Sequence, residues 1–492
     1  MAGSPKESDR LYSIHIGDYI SGPFQEWGRA PFERDLDRVK YTRAFRRLKD
    51  VTQVARSGES YLYHDRLSHS LKVGQVGRRI AELALRRREK GFINDDELTT
   101  NTSPRYPLNE ILFPPSVEAA CLAHDIGHPP FGHISEDLLN ELLNDSTNGD
   151  IGYEGNAQSF RIVTRLADGN HSPNDDGIDG MGLGLTRSTL NGMLKYPWGE
   201  NDNRKSEKEK WGYYPTEKAA FEFARETTPS GRERSLSAEI MDYADDLTYA
   251  IHDVTDFYKA GLIPLDQLLR EAKKGYTGPK PAINEFASYL DSKKRELVYT
   301  SVKQFFRMLG NRVGQYTVDG SLMFSPFNGT PTERRTVDGF TSMLIGRYIS
   351  GNATQKPELL KIEWGPNGYH LQISQEAEEQ IWLLRQLTDY YVIKDSSLMA
   401  QQRGQKKIIK NLFEELLSET AMDDLDQSAI PEPYRSWLGE DSQRAGEFSK
   451  EKNQRARVVA DMITTMTEPQ AIELHDRLLG YNPGALQNHI IR

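Results

Sequence analysis

The chain reads as mainly α, with a helical core, an irregular insertion and a helical C-terminal region that holds one small β-hairpin. Three observations predict this. Apolar residues recur at three- to five-residue spacings through most of the 492 residues, basic last turns and glycines mark helix ends, and two-residue alternation is confined to about 362–373. Residues 1–30 are polar, punctuated by Gly and Pro, and are expected to form an arm.

The first helix is expected over Arg34–Lys49. A second begins near Leu67, where Leu67, Leu71, Val76, Ile80 and Leu83 mark one apolar face, and it ends in the basic run Arg86–Lys90 before Gly91. Cations in a last turn complement the helix dipole, and glycine stops the helix. After a loop-like stretch at 91–115, Ser116 is the expected N-cap of a helix through Val117 and Leu122, which must break at Gly127, Pro129 and Pro130. Another helix carries Ile134, Leu138, Leu139, Leu142 and Leu143.

From about 144 to 235 the composition shifts toward Gly, Asn, Asp and Lys, as in Gly180–Gly184 and Asn201–Lys210. That pattern suits an insertion with short helices rather than a second domain. Strong helical patterning returns at Leu236–Tyr258. Beyond 261, Ile362 and Trp364 alternate before Gly365-Pro366-Asn367-Gly368, and Leu371 and Ile373 alternate after it, giving the hairpin. Later helices follow from Ile381/Leu384/Tyr391, Ile409/Leu412/Leu416 and Val458/Met462/Met466, and Thr467 with Gln470 forms a capping-box pattern. The expected division is an arm at 1–30, a core at 31–260 and a C-terminal region at 261–492.

Composition narrows the function classes. Apolar runs such as Ala119–Ala123 fall far short of the roughly 20 residues that span a membrane. One cysteine, Cys121, allows no internal disulfide and no thiolate zinc cluster. With no apolar signal core in the first residues, a reducing cytoplasm is the expected compartment. A net charge of −10 argues against a surface coated for nucleic acid, so a polyanionic ligand needs a local basic cluster; Arg34–Lys49 supplies seven cations.

Five of the eleven histidines are His64, His69, His124, His128 and His133, the last three within His124-Asp125-Ile126-Gly127-His128-Pro129-Pro130-Phe131-Gly132-His133. Imidazole binds divalent transition metals and carboxylate suits harder cations, so a His/Asp site accepts Mg, Mn, Fe, Co or Zn. Adjacent side chains on a helix diverge by about 100°, which places His124 and Asp125 at neighbouring coordination positions where the helix ends. On the Leu236–Tyr258 helix, Asp245, Tyr249, His252 and Asp256 gather opposite the apolar face, with Asp253 at the border. Such a face is either solvated or part of a site, and Tyr249 at its centre favours the site.

These residues resemble the HD-domain metal-dependent phosphohydrolases, and within them the deoxyguanosinetriphosphate triphosphohydrolases. The resemblance rests on the ordered set His69, His124-Asp125 and Asp245, and on longer strings: Arg34-Asp35-Leu36-Asp37-Arg38, Arg66-Leu67-Ser68-His69-Ser70, His124 through His133, Glu154-Gly155-Asn156-Ala157-Gln158, Lys195-Tyr196-Pro197 and Ala244-Asp245-Asp246. It is dense over 30–260 and looser beyond. It implies that the core is an HD-domain helical bundle.

By the same resemblance, His69, His124, Asp125 and Asp245 hold a divalent metal, Mg or Mn foremost. His133 and Glu136, three apart on one helix face, are the implied catalytic pair. Gln53 and Asp253 fall near a deoxyribose 3′-hydroxyl, Tyr249 against the sugar, and Arg46, Arg66, Lys195, Tyr196 and Lys210 near the triphosphate. The implied reaction is hydrolysis of a deoxynucleoside triphosphate, dGTP preferred, by water attack at the α-phosphorus, releasing deoxynucleoside and inorganic triphosphate. The implied assembly is a homo-oligomer such as a hexamer, with single-stranded DNA or a deoxynucleotide as a further effector. The alternatives are another HD-type phosphohydrolase, acting on a cyclic nucleotide, an alarmone or a nucleic-acid end, and a regulatory oligomer that binds nucleotide or single-stranded DNA without turnover.

Overall fold

A computed structural model describes residues 30–482, except 54–63, 91–107, 109–111, 169–181, 201, 203–209, 229–230, 275–280, 294, 299, 317–322, 351–358, 366–367, 394–395, 423–427, 440–445 and 447. The expected arm, Gly180, most of Asn201–Lys210 and the Pro366-Asn367 turn lie outside the described residues. The rest is mainly helical, and the two strands form one antiparallel hairpin.

The expected helix over Arg34–Lys49 is in fact three pieces: α1 (Pro31–Tyr41), α2 (Arg43–Arg46) and a 3₁₀ turn at Arg47–Asp50. The break is at Thr42, which is extended and whose hydroxyl accepts the Phe45 amide at 3.0 Å, restarting the chain as an N-cap. The apolar spacing runs through this break, which is why periodicity alone predicts one helix.

Helix α3 (Arg66–Glu89) is capped by Asp65, whose carboxylate accepts the Ser68 amide at 2.7 Å, and it ends in Arg86–Arg88. Val73, Val76, Ile80 and Ala84 make its buried face. Helix α4 (Pro114–Ala123) starts two residues before the predicted cap: Pro114 and Pro115 occupy the first turn, where missing N–H groups cost nothing. Ser116 is therefore inside the helix, buried, with its hydroxyl donating to Ser188 at 2.8 Å. Helix α5 (His133–Thr147) follows the Gly/Pro turn.

The insertion carries α6 (Gly155–Arg161), a π turn at Ile162–Leu166, α7 (Arg187–Met193) and α8 (Lys218–Arg225). It packs tightly, because Phe160, Leu185, Leu190 and Leu194 are buried with α1, α4 and α5. Helix α9 (Leu236–Lys259) is capped by the Ser235 hydroxyl and is buried on nearly every side. Each fully buried Leu, Ile or Val there contributes about 1.5–3 kcal/mol.

Beyond it come α10 (Leu265–Lys274), α11 (Ala282–Ser292), α12 (Val302–Tyr316), α13 (Pro331–Ser350), β1 (Leu360–Gly365), β2 (Gly368–Ile373), α14 (Gln375–Tyr391), α15 (Ser396–Glu419), α16 (Tyr434–Trp437), α17 (Glu451–Thr465) and α18 (Glu468–Leu478). The hairpin pairs Leu360 with Ile373 and Gly365 with Gly368, and it docks on α9 through Glu239, which accepts the Leu371 amide at 2.7 Å.

Two cores result, and both interleave early and late sequence. One joins α3 and α9 to residues 263–392, the other joins α1, α4, α5 and the insertion to 409–474. The junction between α4 and α5, where the histidines lie, is held from both sides. No described helix is long and apolar enough to cross a membrane.

Candidate metal centre

Three helices meet at His69, His124-Asp125 and Asp245. His69 sits in the first turn of α3, His124 is the C-cap of α4, and Asp245 lies in α9. The His124–His128 turn must be narrow: a Cβ on Gly127 would fall 2.1 Å from the Ser159 amide nitrogen and 2.4 Å from the Gly155 carbonyl oxygen. Ser159 ties the turn to α6, donating to the His124 carbonyl at 2.7 Å and accepting the Gly127 amide at 2.9 Å. Arg47 holds the other side, donating to the carbonyls of Ile126 at 2.9 Å and His128 at 2.6 Å.

The four side chains present their donor atoms to one point. His69 Nε2 is 3.0 Å from Asp245 Oδ1, and His124 Nε2 is 3.5 Å from that oxygen and 3.3 Å from Asp125 Oδ1. Around a six-coordinate ion with bonds of about 2.1 Å, neighbouring ligand atoms lie about 3 Å apart. His124 Nδ1 bonds the Cys121 carbonyl at 2.6 Å, so Nε2 is the free nitrogen, and it is buried without a hydrogen-bond partner. That orphaned atom among carboxylates fits a cation, and an imidazole oriented through its other nitrogen is the usual form of such a ligand.

The electrostatics agree. Burial alone would lower the His124 pKa, yet Asp125 and Asp245 raise it to about 9, the mark of a pocket that demands positive charge. Burial opposes ionisation of both carboxyls, but His124, His128 and Arg66 hold Asp125, and Lys195 and His124 hold Asp245, well below the usual carboxylate range. Arg66, 1% exposed, donates to Asp125 Oδ2 at 2.7 Å and to the Thr52 carbonyl at 3.1 Å. Lys195 Nζ lies 2.6 Å from Asp242 and 3.2 Å from Asp245 Oδ2.

Next to this point His133 Nδ1 is 2.8 Å from Glu136 Oε2, and the His133 side chain is 60% exposed while Glu136 is buried. Glu136 is anchored by the Gly155 amide at 2.9 Å and has Lys210 Nζ at 3.7 Å; Lys210 also reaches Glu154 at 3.6 Å. Burial opposes it, but His133, His128 and Lys210 keep Glu136 ionised. His128 fills the space between the two groups, with Nδ1 3.1 Å from Asp125 and Nε2 3.7 Å from Glu136. Burial and the Arg66 guanidinium lower its pKa to about 3, so it is neutral.

The other predicted residues divide. Gln53 Oε1 and Asp253 Oδ2 are buried without hydrogen-bond partners. Tyr249 is half-buried in α9 with the Arg385 guanidinium 5.5 Å from its ring centroid. Tyr196 is half-buried with its ring 5.5 Å from that of Trp198. Arg46 is exposed and bonds back to the Thr42 carbonyl at 3.3 Å; its neighbour Arg47 is the buried one. The His64-Asp65 pair ligates nothing: Asp65 caps α3 and His64 bonds Asp256. Cys121 is buried in the core.

Sequence reasoning missed Arg47, Glu154 and Glu468. Glu468, from α18, accepts the amides of Thr52 at 2.6 Å and Phe131 at 3.2 Å. Its one sequence signal is its place directly after the Thr467 cap.

Comparison with known proteins agrees with this geometry. Residues 66–250 match the HD domain, a span that begins at α3 and ends just after Asp245, and residues 371–477 match a phosphohydrolase-associated domain. A deoxyguanosinetriphosphate triphosphohydrolase-like protein of Streptomyces coelicolor is 30% identical, over 95% of this chain and 96% of its own length. One from Corynebacterium efficiens is 32% identical over 89% of each chain, and one from Bifidobacterium longum is 27% identical over 93% of this chain and 84% of its own. The chain thus belongs to the HD-domain phosphohydrolases, in the branch of the deoxyguanosinetriphosphate triphosphohydrolase-like proteins.

Proposed function

We propose that this protein hydrolyses deoxynucleoside triphosphates, dGTP preferred, to deoxynucleoside and inorganic triphosphate by water attack at the α-phosphorus. The observation that carries the reading is the convergence of His69, His124, Asp125 and Asp245 beside an exposed histidine held by a buried carboxylate. A divalent ion held by those four residues, Mg or Mn foremost, supplies Lewis-acid neutralisation of phosphoryl charge and lowers the pKa of water.

The protein's own groups do the rest. Glu136 accepts from His133 Nδ1, which leaves Nε2 on the open side to exchange a proton with the attacking water or the departing 5′-oxygen. Lys195, Lys210 and the Arg66 guanidinium offset triphosphate charge in a site whose surroundings are otherwise acidic. The unpartnered Gln53 Oε1 and Asp253 Oδ2 suit a sugar hydroxyl. Burial and the nearby Asp256 push the Asp253 pKa up, and a neutral carboxyl favours a hydroxyl over a phosphate. Tyr249 packed against C2′ is a steric reason for deoxyribose over ribose.

The preference for dGTP is supported by what the relatives are called, and a homo-oligomer belongs to the same reading. The test is the full-length protein with Mg or Mn against each of the four deoxynucleotides, singly and mixed, with products resolved. Inorganic triphosphate and deoxynucleoside are expected. Release of pyrophosphate or orthophosphate overturns the reaction, and tight binding with no turnover under any metal overturns the enzyme.

A further inference from the structure

A cavity of about 640 Å³ opens between α3, α9 and α13, a size that holds a nucleotide-sized ligand. None of the residues assigned above to metal, catalysis or substrate lines it. Its inner wall is apolar, built from Val76, Leu83, Ile345 and Ile349.

Its rim is basic. Lys72, Arg79 and Arg86 follow one another at seven-residue intervals along α3, which places them in a single stripe two turns apart, and Lys259 of α9 faces the same space. Asp338 is the one carboxylate in the lining among the described residues. Nearby acids quench part of this charge: Glu82 lies 3.3 Å from Arg79 and 4.0 Å from Arg86, and Asp256 lies 3.7 Å from Lys259. Lys72 has no carboxylate partner among the described residues.

A second observation points to a ligand. His252 belongs to the wall, is 7% exposed, and its Nε2 is buried with no hydrogen-bond partner. Its ring stands 4.8 Å from that of His64, which is itself bonded to Asp256. A buried polar atom without a partner costs about 1–3 kcal/mol, a cost that a bound molecule with a donor or acceptor at that point removes. Hydroxyls of Thr255, Thr341 and Ser342 add further polar contacts around an apolar centre.

We propose that this cavity is a second binding site, separate from the metal centre, for a small polyphosphorylated ligand. Its phosphates lie along Lys72, Arg79 and Lys259, and its apolar portion rests on Val76 and Ile345. The site shares α3 and α9 with the metal centre: Lys72 is three residues past His69, and His252 is seven past Asp245.

The test is calorimetric titration of the full-length protein in EDTA with inorganic triphosphate and, separately, with ATP. The double variant Lys72→Glu/Arg79→Glu is compared with the wild type; both side chains are exposed, and a neutral Lys72→Gln/Arg79→Gln pair guards against misfolding. At least a tenfold weaker affinity is expected in the reversed variant and a smaller loss in the neutral one, while deoxynucleotide hydrolysis without added ligand stays within twofold. A loss shared equally by triphosphate and ATP identifies a polyphosphate site, and a loss confined to ATP identifies a nucleotide site. Absence of binding to the wild type, or affinity unchanged by charge reversal, overturns the proposal. Absence of deoxynucleotide hydrolysis in both proteins bears only on the metal centre.

Discussion

His133 Nδ1 lies 2.8 Å from Glu136 Oε2, and the Gly155 amide holds the other oxygen of the same carboxylate at 2.9 Å. A mobile, exposed imidazole is thereby given one tautomer and one direction by a buried group. Glu136→Gln keeps the shape and removes the charge. A fall in kcat of about 10²-fold or more is expected, with metal content and KM little changed. A variant that keeps wild-type kcat across pH 6–9 would show that His133 needs no orientation.

Asp245 contributes one oxygen near both His69 and His124 and the other near Lys195. Asp245→Ala removes a ligand and leaves Lys195 to face the histidines. Bound metal, counted by elemental analysis after dialysis, and turnover should fall together, the latter by about 10³-fold or more. Metal retained at one equivalent with activity lost would mean that Asp245 serves the substrate instead.

What was legible in the sequence was what is local. His124-Asp125 and His133/Glu136 are short strings at helix ends, and α3 and α9 each carry an apolar periodicity that a single pass reveals. Tertiary contacts were not legible. Arg46 and Arg47 are equivalent in composition, and only packing decides that Arg47 reaches the Ile126 and His128 carbonyls. The Asp245 face looked like a candidate solvated surface because a lone helix cannot show that His252, Asp253 and Asp256 are covered by neighbours. Thr42 breaks the first helix by a side-chain cap that leaves the apolar spacing intact, and Ser116 was displaced from its expected cap by the two prolines before it.

Glu154 carries a pH signature. Burial and the neighbouring Glu136 raise its pKa from 4.5 to about 7, although it also caps α6 by accepting the Asn156 and Ala157 amides. A carboxyl with a raised folded pKa is protonated more readily in the folded state. Its contribution to stability is therefore greatest below pH 4.5 and is lost as pH rises toward 7 and beyond. Glu154→Gln removes the repulsion with Glu136 and keeps an oxygen for the helix amides, while the Asn156 amide can turn to meet the new NH₂. A stability gain of about 1–3 kcal/mol is expected at pH 8 and none near pH 4.5, read as a Tm difference that grows with pH. An equal Tm shift at both pH values would place the effect in the cap rather than in charge.

Glu468 fixes the catalytic turn from more than 300 residues away. Phe131 has φ +67° and Gly132 φ +64°, and at Gly132 a Cβ would also sit 2.9 Å from Arg66 Nη2. A left-handed conformation at a phenylalanine costs about 1–2 kcal/mol, so the turn needs an external restraint. Glu468 Oε1 supplies it by accepting the Phe131 and Thr52 amides together, which sets both the start of α5 at His133 and the strand-like segment beside Arg66. Glu468→Ala leaves two amides without their acceptor, each worth about 1–3 kcal/mol when buried. A lower Tm is expected together with a fall in kcat that exceeds the loss of bound metal, because the His133 side of the site is released before the His69 side. Glu468→Gln retains the accepting oxygen and should recover most of both. If Glu468→Ala lowers Tm but leaves kcat per folded molecule unchanged, the α18 contact stabilises the fold without positioning His133.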